Sequence, residues 1–312
     1  MKKRLKLYGF LTAPVGLCFL LYAVWSPGDK TLNDSMNLQN NGIWISHGWF
    51  GDGLWFKKYK KNTKDFNENK EKLLLDKIKN LKIKFVYPHL CPADANGKIP
   101  GIDMEKIRKF RQKCPSAKVL PWIGGSTEST VDLSSGKWKS EFIKSVAELF
   151  SHDEIDGVHI NIEPLPTGDP DFIQIISDIK KLKGEKILSI AAYPPPSLLH
   201  PHASVHWDLK YYKEVCMLSD QIVPMMYDTA LEYKKIYTNL VRQWAQEVIA
   251  VSMDKEVLFG IPAYEDQDVG YHHPQVENVF TAMPGIVSAI NSSQDARKFS
   301  VSIYAEWTLD EK

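Results

Sequence analysis

Cysteine is scarce in this 312-residue chain: it has four, and one of them, Cys18, sits inside an apolar N-terminal run. The other three, Cys91, Cys114 and Cys216, form an odd set, so no disulfide framework holds the fold and at most one bridge can form. No CxxC pair occurs, which removes the commonest zinc-binding spacing. Charge bias is missing as well. Lys and Arg number 39 against 38 Asp and Glu, a net charge of +1, so there is no basic excess to neutralise nucleic-acid phosphates. No internal repeat or low-complexity tract interrupts the sequence. With 44% apolar and 25% charged residues, the composition is that of one large globular domain or two small ones.

Long hydrophobic runs are absent with one exception. After four positive charges in "MKKRLK", residues Leu7 to Trp25 ("LYGFLTAPVGLCFLLYAVW") carry none. Nineteen uncharged residues suffice to span a bilayer and exceed a typical signal-peptide core. The expectation is therefore a cytoplasmic basic segment (1–6), a transmembrane or signal-anchor helix (7–25) and an extracytoplasmic remainder, since Lys and Arg stay inside. Secretion after signal cleavage is the alternative. Residues 26–41, rich in Asn, Ser, Pro and Gly, read as a polar linker.

From residue 42 to 312 the chain alternates between two periodicities. Strand-like pieces fall at Gly42–Ser46, Ile83–Tyr87, Lys118–Ile123, Gly157–Glu163, Ile187–Tyr193, Gln221–Tyr227, Val257–Tyr264 and Phe299–Trp307. Amphipathic helical patterns separate them, one opening with Asp169 as N-cap and Pro170 at its first position. Eight strands alternating with helices predict an α/β fold, a (β/α)8 barrel. Five residues follow Trp307, so the eighth helix is expected to be missing here, either because the C-terminus is truncated or because something else covers that sector.

Barrel chemistry sits at the C-terminal ends of the strands. The polar and aromatic residues expected there are Trp49, Phe50, Tyr87, His89, Ser126, Glu163, Tyr193, Tyr227, Asp228, Tyr264, Glu265, Asp266, Glu306 and Trp307. Carboxylates flanked by aromatic rings suit a carbohydrate, whose faces stack while its hydroxyls need fixed acceptors. The stretch "DGVHINIEP" is the most unusual: His159, Asn161 and Glu163 share one strand face, opposite Val158, Ile160 and Ile162. The histidines at 200, 202, 206, 272 and 273 lie in Pro-interrupted loops, and no metal or other cofactor is expected from them.

Five strand motifs, taken in order, resemble those of the family-18 glycoside hydrolases, the chitinase-like barrels. Asp156, Gly157 and Glu163 match D-G-x-D-x-D-x-E, with His159 and Asn161 in place of its inner Asp residues. "LPWIGGS" is similar to the third-strand S-x-G-G, and "MMYD" to M-x-Y-D through Met225, Tyr227 and Asp228. "GIPAY" is similar to G-x-P-x-Y, and Trp307 stands where the family keeps an aromatic floor. The eight residues from Asp156 to Glu163 also resemble the Asn-x-Glu pair of family-85 endo-β-N-acetylglucosaminidases.

The resemblance implies substrate-assisted, retaining hydrolysis of β-linked N-acetylglucosamine glycans. Glu163 would be the acid and base, while Asn161 and Tyr227 would hold the acetamido group. Asp156, His159, Asp228, Tyr264 and Trp307 would contact substrate, together with Tyr87 and Tyr193 from the strand-end reading. Because an amide supplies no negative charge, the other reading is a non-catalytic glycan-binding protein at the cell surface.

Overall fold

The computed structural model describes residues 20–51, 53–265 and 271–308. Nine parallel strand segments make one sheet: β1 (Asn41–Ile45), β2 (Ile83–Pro88), β3 (Lys118–Val119), β4 (Trp122–Ser126), β5 (Gly157–Glu163), β6 (Ile187–Ala192), β7 (Gln221–Pro224), β8 (Glu256–Pro262) and β9 (Phe299–Tyr304). β3 and β4 are two halves of the expected third strand. Proline has no amide hydrogen, so Pro121 interrupts the donor ladder, yet its carbonyl still accepts His159 N at 2.9 Å. The first half pairs with β2, the second with β5, and β1 pairs with β9. The strands therefore occupy the eight positions of a TIM-like (β/α)8 barrel.

Strand alternation divides the core. Val158, Ile160 and Ile162 of β5 face outward, into the aliphatic layer beneath the helices Gly136–Phe150 and Pro170–Leu182. The opposite faces fill the barrel with Trp44, Phe85, Tyr87, Trp122, Val223 and Leu258. Helix starts follow local chemistry. Asp169 accepts Phe172 N at 2.8 Å ahead of Pro170, and Asn278 forms a capping box with Thr281.

The sector after β9 has no helix among the described residues, only a short turn at Glu306–Thr308. The segment expected as a linker lies along the helices Lys234–Val251 and Val279–Ser292, which flank β8. Near the mouth, Lys235 Nζ donates to the carbonyls of Tyr22 and Ala23, each at 2.8 Å. Lower down, Gly28 lies so close to the helix Val279–Ser292 that an added Cβ would sit 2.6 Å from Pro284 Cβ. At the base, Asn37 N donates to Phe299 O at 2.7 Å. Residues 20–37 thus form a strap running from mouth to base. None of the described helices is long and apolar enough to cross a membrane. The expected basic segment (1–6) and residues 7–19 of the expected anchor (7–25) lie outside the described residues, as does Asp266.

Candidate active site

Glu163 ends β5 at the barrel mouth. Asn161, two residues earlier on the same face, donates from Nδ2 to Glu163 Oε2 at 3.2 Å. Its own Oδ1 is buried without a hydrogen-bond partner. Gly124 (φ +124°) makes this approach of strands feasible: a Cβ there would lie 2.0 Å from the Asn161 carbonyl oxygen. Burial raises the Glu163 carboxyl above the ordinary carboxylate range. Hydrogen bonds from Asn161 and Tyr193 oppose that rise, and the charge of Asp228 adds to it. A carboxylic acid that keeps its proton is what a general acid requires.

The rest of the wall comes from the loops after β6, β7, β8 and β9. A cavity of about 100 Å³ opens between Glu163, Tyr193, Met225, Tyr227 and Asp228 and extends back to His200 and Trp244. Asp228 sits in a left-handed turn (φ +61°) and accepts a short hydrogen bond from the Tyr264 hydroxyl. Tyr227 stacks on Tyr304, with ring centroids 5.3 Å apart and an interplanar angle of 13°. Tyr304 also packs edge-on against Trp44, Trp122 and Tyr264. Behind Asp228, the His272 ring stacks on Tyr264 at 3.9 Å, and the fully buried Glu277 accepts Thr229 N at 3.0 and 3.2 Å.

Of the residues expected from sequence, Glu163, Asn161, Tyr193, Tyr227, Asp228 and Tyr264 converge at the mouth. Four others lie apart from this group. Asp156 lies at the opposite end of β5, about 23 Å away along an extended strand. There it accepts Arg111 Nη1 and Val119 N, both at 2.8 Å, and ties strands together at the barrel base. Tyr87 is fully buried, and its hydroxyl donates to Gln221 Oε1 at 2.8 Å.

His159 is likewise buried beneath the site, stacked on Tyr87 at 4.2 Å. Ser189 Oγ gives its hydrogen to Gln221, so it accepts from His159 Nδ1 at 2.8 Å. Burial lowers the His159 pKa to about 3, so the ring is a neutral plug in the barrel interior. Trp307 is half exposed beyond the strand end, edge-on to Tyr304, which packs among the aromatics of the mouth.

Tyr304, His272 and Glu277 were missed from sequence. The first had a readable signal, since Ser300, Ser302 and Tyr304 alternate with Val301 and Ile303. The other two lie in a loop and before a helix, where no periodicity marks them. Glu306 turned out to be a lock, accepting Trp49 Nε1 at 3.1 Å across the β1–β9 junction. His200 Nδ1 faces His206 Nε2 at 2.9 Å, and no group of three potential ligands for a metal occurs among the described residues.

Comparison with known structures finds this fold in bacterial enzymes of low sequence identity. The spore cortex-lytic enzyme SleL of Bacillus megaterium is 12% identical with a TM-score of 0.56; the match covers 77% of this chain and 56% of that one. The chain thus spans little more than half of that relative. The C-terminal domain of a putative chitinase from Desulfitobacterium hafniense is 17% identical with a TM-score of 0.57, covering 88% of this chain and 96% of that one. A chitinase from Chromobacterium violaceum is 12% identical with a TM-score of 0.54, covering 87% and 96%. No curated protein sequence matches the chain. At these identities the likeness speaks for the fold alone. The sequence profile "Glycosyl hydrolases family 18" matches residues 55–295, more than three quarters of the chain, and the protein belongs to that family.

Proposed function

We propose that the protein hydrolyses β-linked N-acetylglucosamine glycans by a substrate-assisted, retaining route. The observation that carries this reading is the Asn161–Glu163 pair: a buried acid held by an amide whose carbonyl is left without a partner. That carbonyl is an acceptor for the N–H of a 2-acetamido group. With the acetamido group held, its oxygen attacks the anomeric carbon while Glu163 protonates the departing oxygen. Water then opens the cyclic intermediate, with Glu163 taking its proton. Tyr304 and Tyr227 supply stacked aromatic surface for the reacting sugar.

Glu163→Gln tests the assignment. Turnover of 4-nitrophenyl diacetylchitobioside should fall by on the order of 10²–10⁴-fold, and unchanged turnover would overturn it. The two replaced Asp positions favour one rival, a glycan-binding protein without chemistry. Calorimetric binding of N-acetylglucosamine oligomers by the wild type, with no product after long incubation, would select that rival.

We also propose that the uncharged Leu7–Trp25 run anchors the barrel to a membrane.

A further inference from the structure

The net charge of +1 hides two opposite sectors. Residues 53–118, from the helix Gly53–Lys58 through β2 to Lys118 of β3, hold 18 Lys and Arg against 7 Asp and Glu, a net of +11. Residues 119–312 hold 16 against 28, a net of −12. Because β1, β2 and β3 are neighbours in the sheet, the basic residues occupy one contiguous side of the barrel. Like charges within about 8 Å repel one another at physiological salt, and an anionic partner relieves that repulsion.

The charge is densest in the segment that follows β1 at the mouth. "KKYKKNTK" (Lys57–Lys64) has five lysines in eight residues and no acid. All five are exposed, and none forms an ion pair among the described residues. Beside them a groove of about 480 Å³ runs between the helix Gly53–Lys58, the loop after β2 and the helix Gly136–Phe150. Trp55, Lys58, Tyr59, Pro92 and Lys98 line it, and two carboxylates, Asp94 and Glu148, border it as well. Asp94 Oδ1 is already engaged, accepting Asn96 N at 2.8 Å and Lys98 N at 3.0 Å. The Trp55 ring is held in place by stacking on the buried His47, with centroids 4.7 Å apart and an interplanar angle of 7°. Pro92 connects the groove to the acid. It packs against Gly125 of β4 so closely that a Cβ there would lie 2.8 Å from Pro92 Cβ, and the next residue, Ser126, pairs with Glu163. The groove thus opens one strand away from Glu163.

We propose that the substrate is an acidic glycan: an N-acetylglucosamine chain bearing acidic substituents, which leaves Glu163 past Pro92 and lies in this groove. Trp55 and Tyr59 meet its sugar rings, and Lys98 and the lysines of 57–64 meet its anionic groups. This rests on the hydrolase reading above and adds charge to the substrate class. Aromatic rings stack on sugars of any charge and would suit a neutral polymer equally well. The unpaired lysines are what select. No Arg occurs from 53 to 107, so the segment has no planar fork to clamp one anion from two sides. Point charges on flexible stems suit anionic groups repeated along a polymer, and a field of one sign speeds its capture by about 10–10³-fold.

Glycol chitin and carboxymethyl chitin share a backbone and differ in charge, so the full chain is assayed on both. At about 50 mM salt kcat/KM should be about tenfold higher on carboxymethyl chitin, and at about 500 mM the gap should close to about twofold. Lys57→Glu, Lys58→Glu, Lys60→Glu and Lys61→Glu together should bring the ratio of the two polymers to about one or below. The same reversal at Lys137, Lys144, Lys210 and Lys213, exposed lysines of the acidic sector, should leave that ratio within about twofold. Equal kcat/KM on the two polymers in the wild type, or a ratio that falls equally in both variants, overturns the proposal. Binding to Glu163→Gln, followed by calorimetry, reads recognition without hydrolysis. Carboxymethyl chitin should bind about tenfold more tightly than glycol chitin and than polygalacturonate, which is acidic but lacks N-acetylglucosamine. Polygalacturonate binding as tightly would make the sector a general polyanion surface and overturn the proposal. Preferential binding of carboxymethyl chitin with neither polymer cut by the wild type would sink the hydrolase reading and leave acidic-glycan recognition standing. Cleavage of both polymers with equal affinity would do the reverse.

Discussion

Glu277 has no solvent exposure, and burial raises its carboxyl from an ordinary 4.5 to about 7. A carboxyl that binds its proton more tightly in the folded state makes folding most favourable below pH 4.5. That contribution is lost as the pH rises through about 7, and is gone above it. At pH 8 the difference amounts to about 3 kcal/mol, at 1.36 kcal/mol per decade of proton affinity. Glutamine has the same shape and no charge. Its oxygen can still accept Thr229 N.

Glu277→Gln should therefore be more stable than the wild type by about 2–3 kcal/mol at pH 8, and by almost nothing at pH 4.5. For a chain of this size that is about 5 °C in Tm. Urea and thermal unfolding of both proteins, followed by circular dichroism at several pH values, measures the difference directly, since every other titrating group cancels. A difference that does not change with pH would refute the reasoning. So would a wild type that gains on the variant as pH rises, which would mean that His272 stabilises the ionised carboxylate more than burial opposes it.

Two further outcomes distinguish parts of the molecule. Tyr304→Ala removes the ring at the centre of the mouth aromatics and should raise KM for N-acetylglucosamine oligomers by about tenfold. Trp307→Ala, at a half-exposed ring, should change KM by less than about threefold, and the reverse order would make Trp307 the floor. The anchor proposal predicts that the full chain stays with membranes after alkaline extraction while a chain lacking residues 1–25 does not; release of both would remove it.

Much of the barrel was legible because strands and helices have different periods. Residues 157–163 were expected as a strand to the residue, and Asp169 and Pro170 as the start of a helix, because alternation and capping are local effects. Strand ends were less legible. Pro121 and Pro224 lack an amide donor and cut two strands short of their apolar runs, although the chain continues in the same direction. The resemblance to family 18 singled out Glu163, Asn161, Tyr227 and Asp228, which the structure gathers at the mouth. His159 and Asp156 from the same resemblance, and Tyr87 from the strand-end reading, lie lower, since whether a residue on an inward strand face lies at the mouth, in the plug or at the base depends on its height in the barrel. Height is set by strand register, which no single strand encodes.

The sequence by itself determined the alternation of elements, the shared face of His159, Asn161 and Glu163, and the absence of a second carboxylate on that strand. Those follow from residue order and side-chain chemistry alone. Only the tertiary structure decided which rings gather at the mouth, that the expected linker is a strap, and that a loop histidine and a buried glutamate stand behind Asp228. Each of these is a contact between segments far apart in the chain. Such contacts arise from how the closed sheet stacks its layers, and nothing local in the sequence announces them.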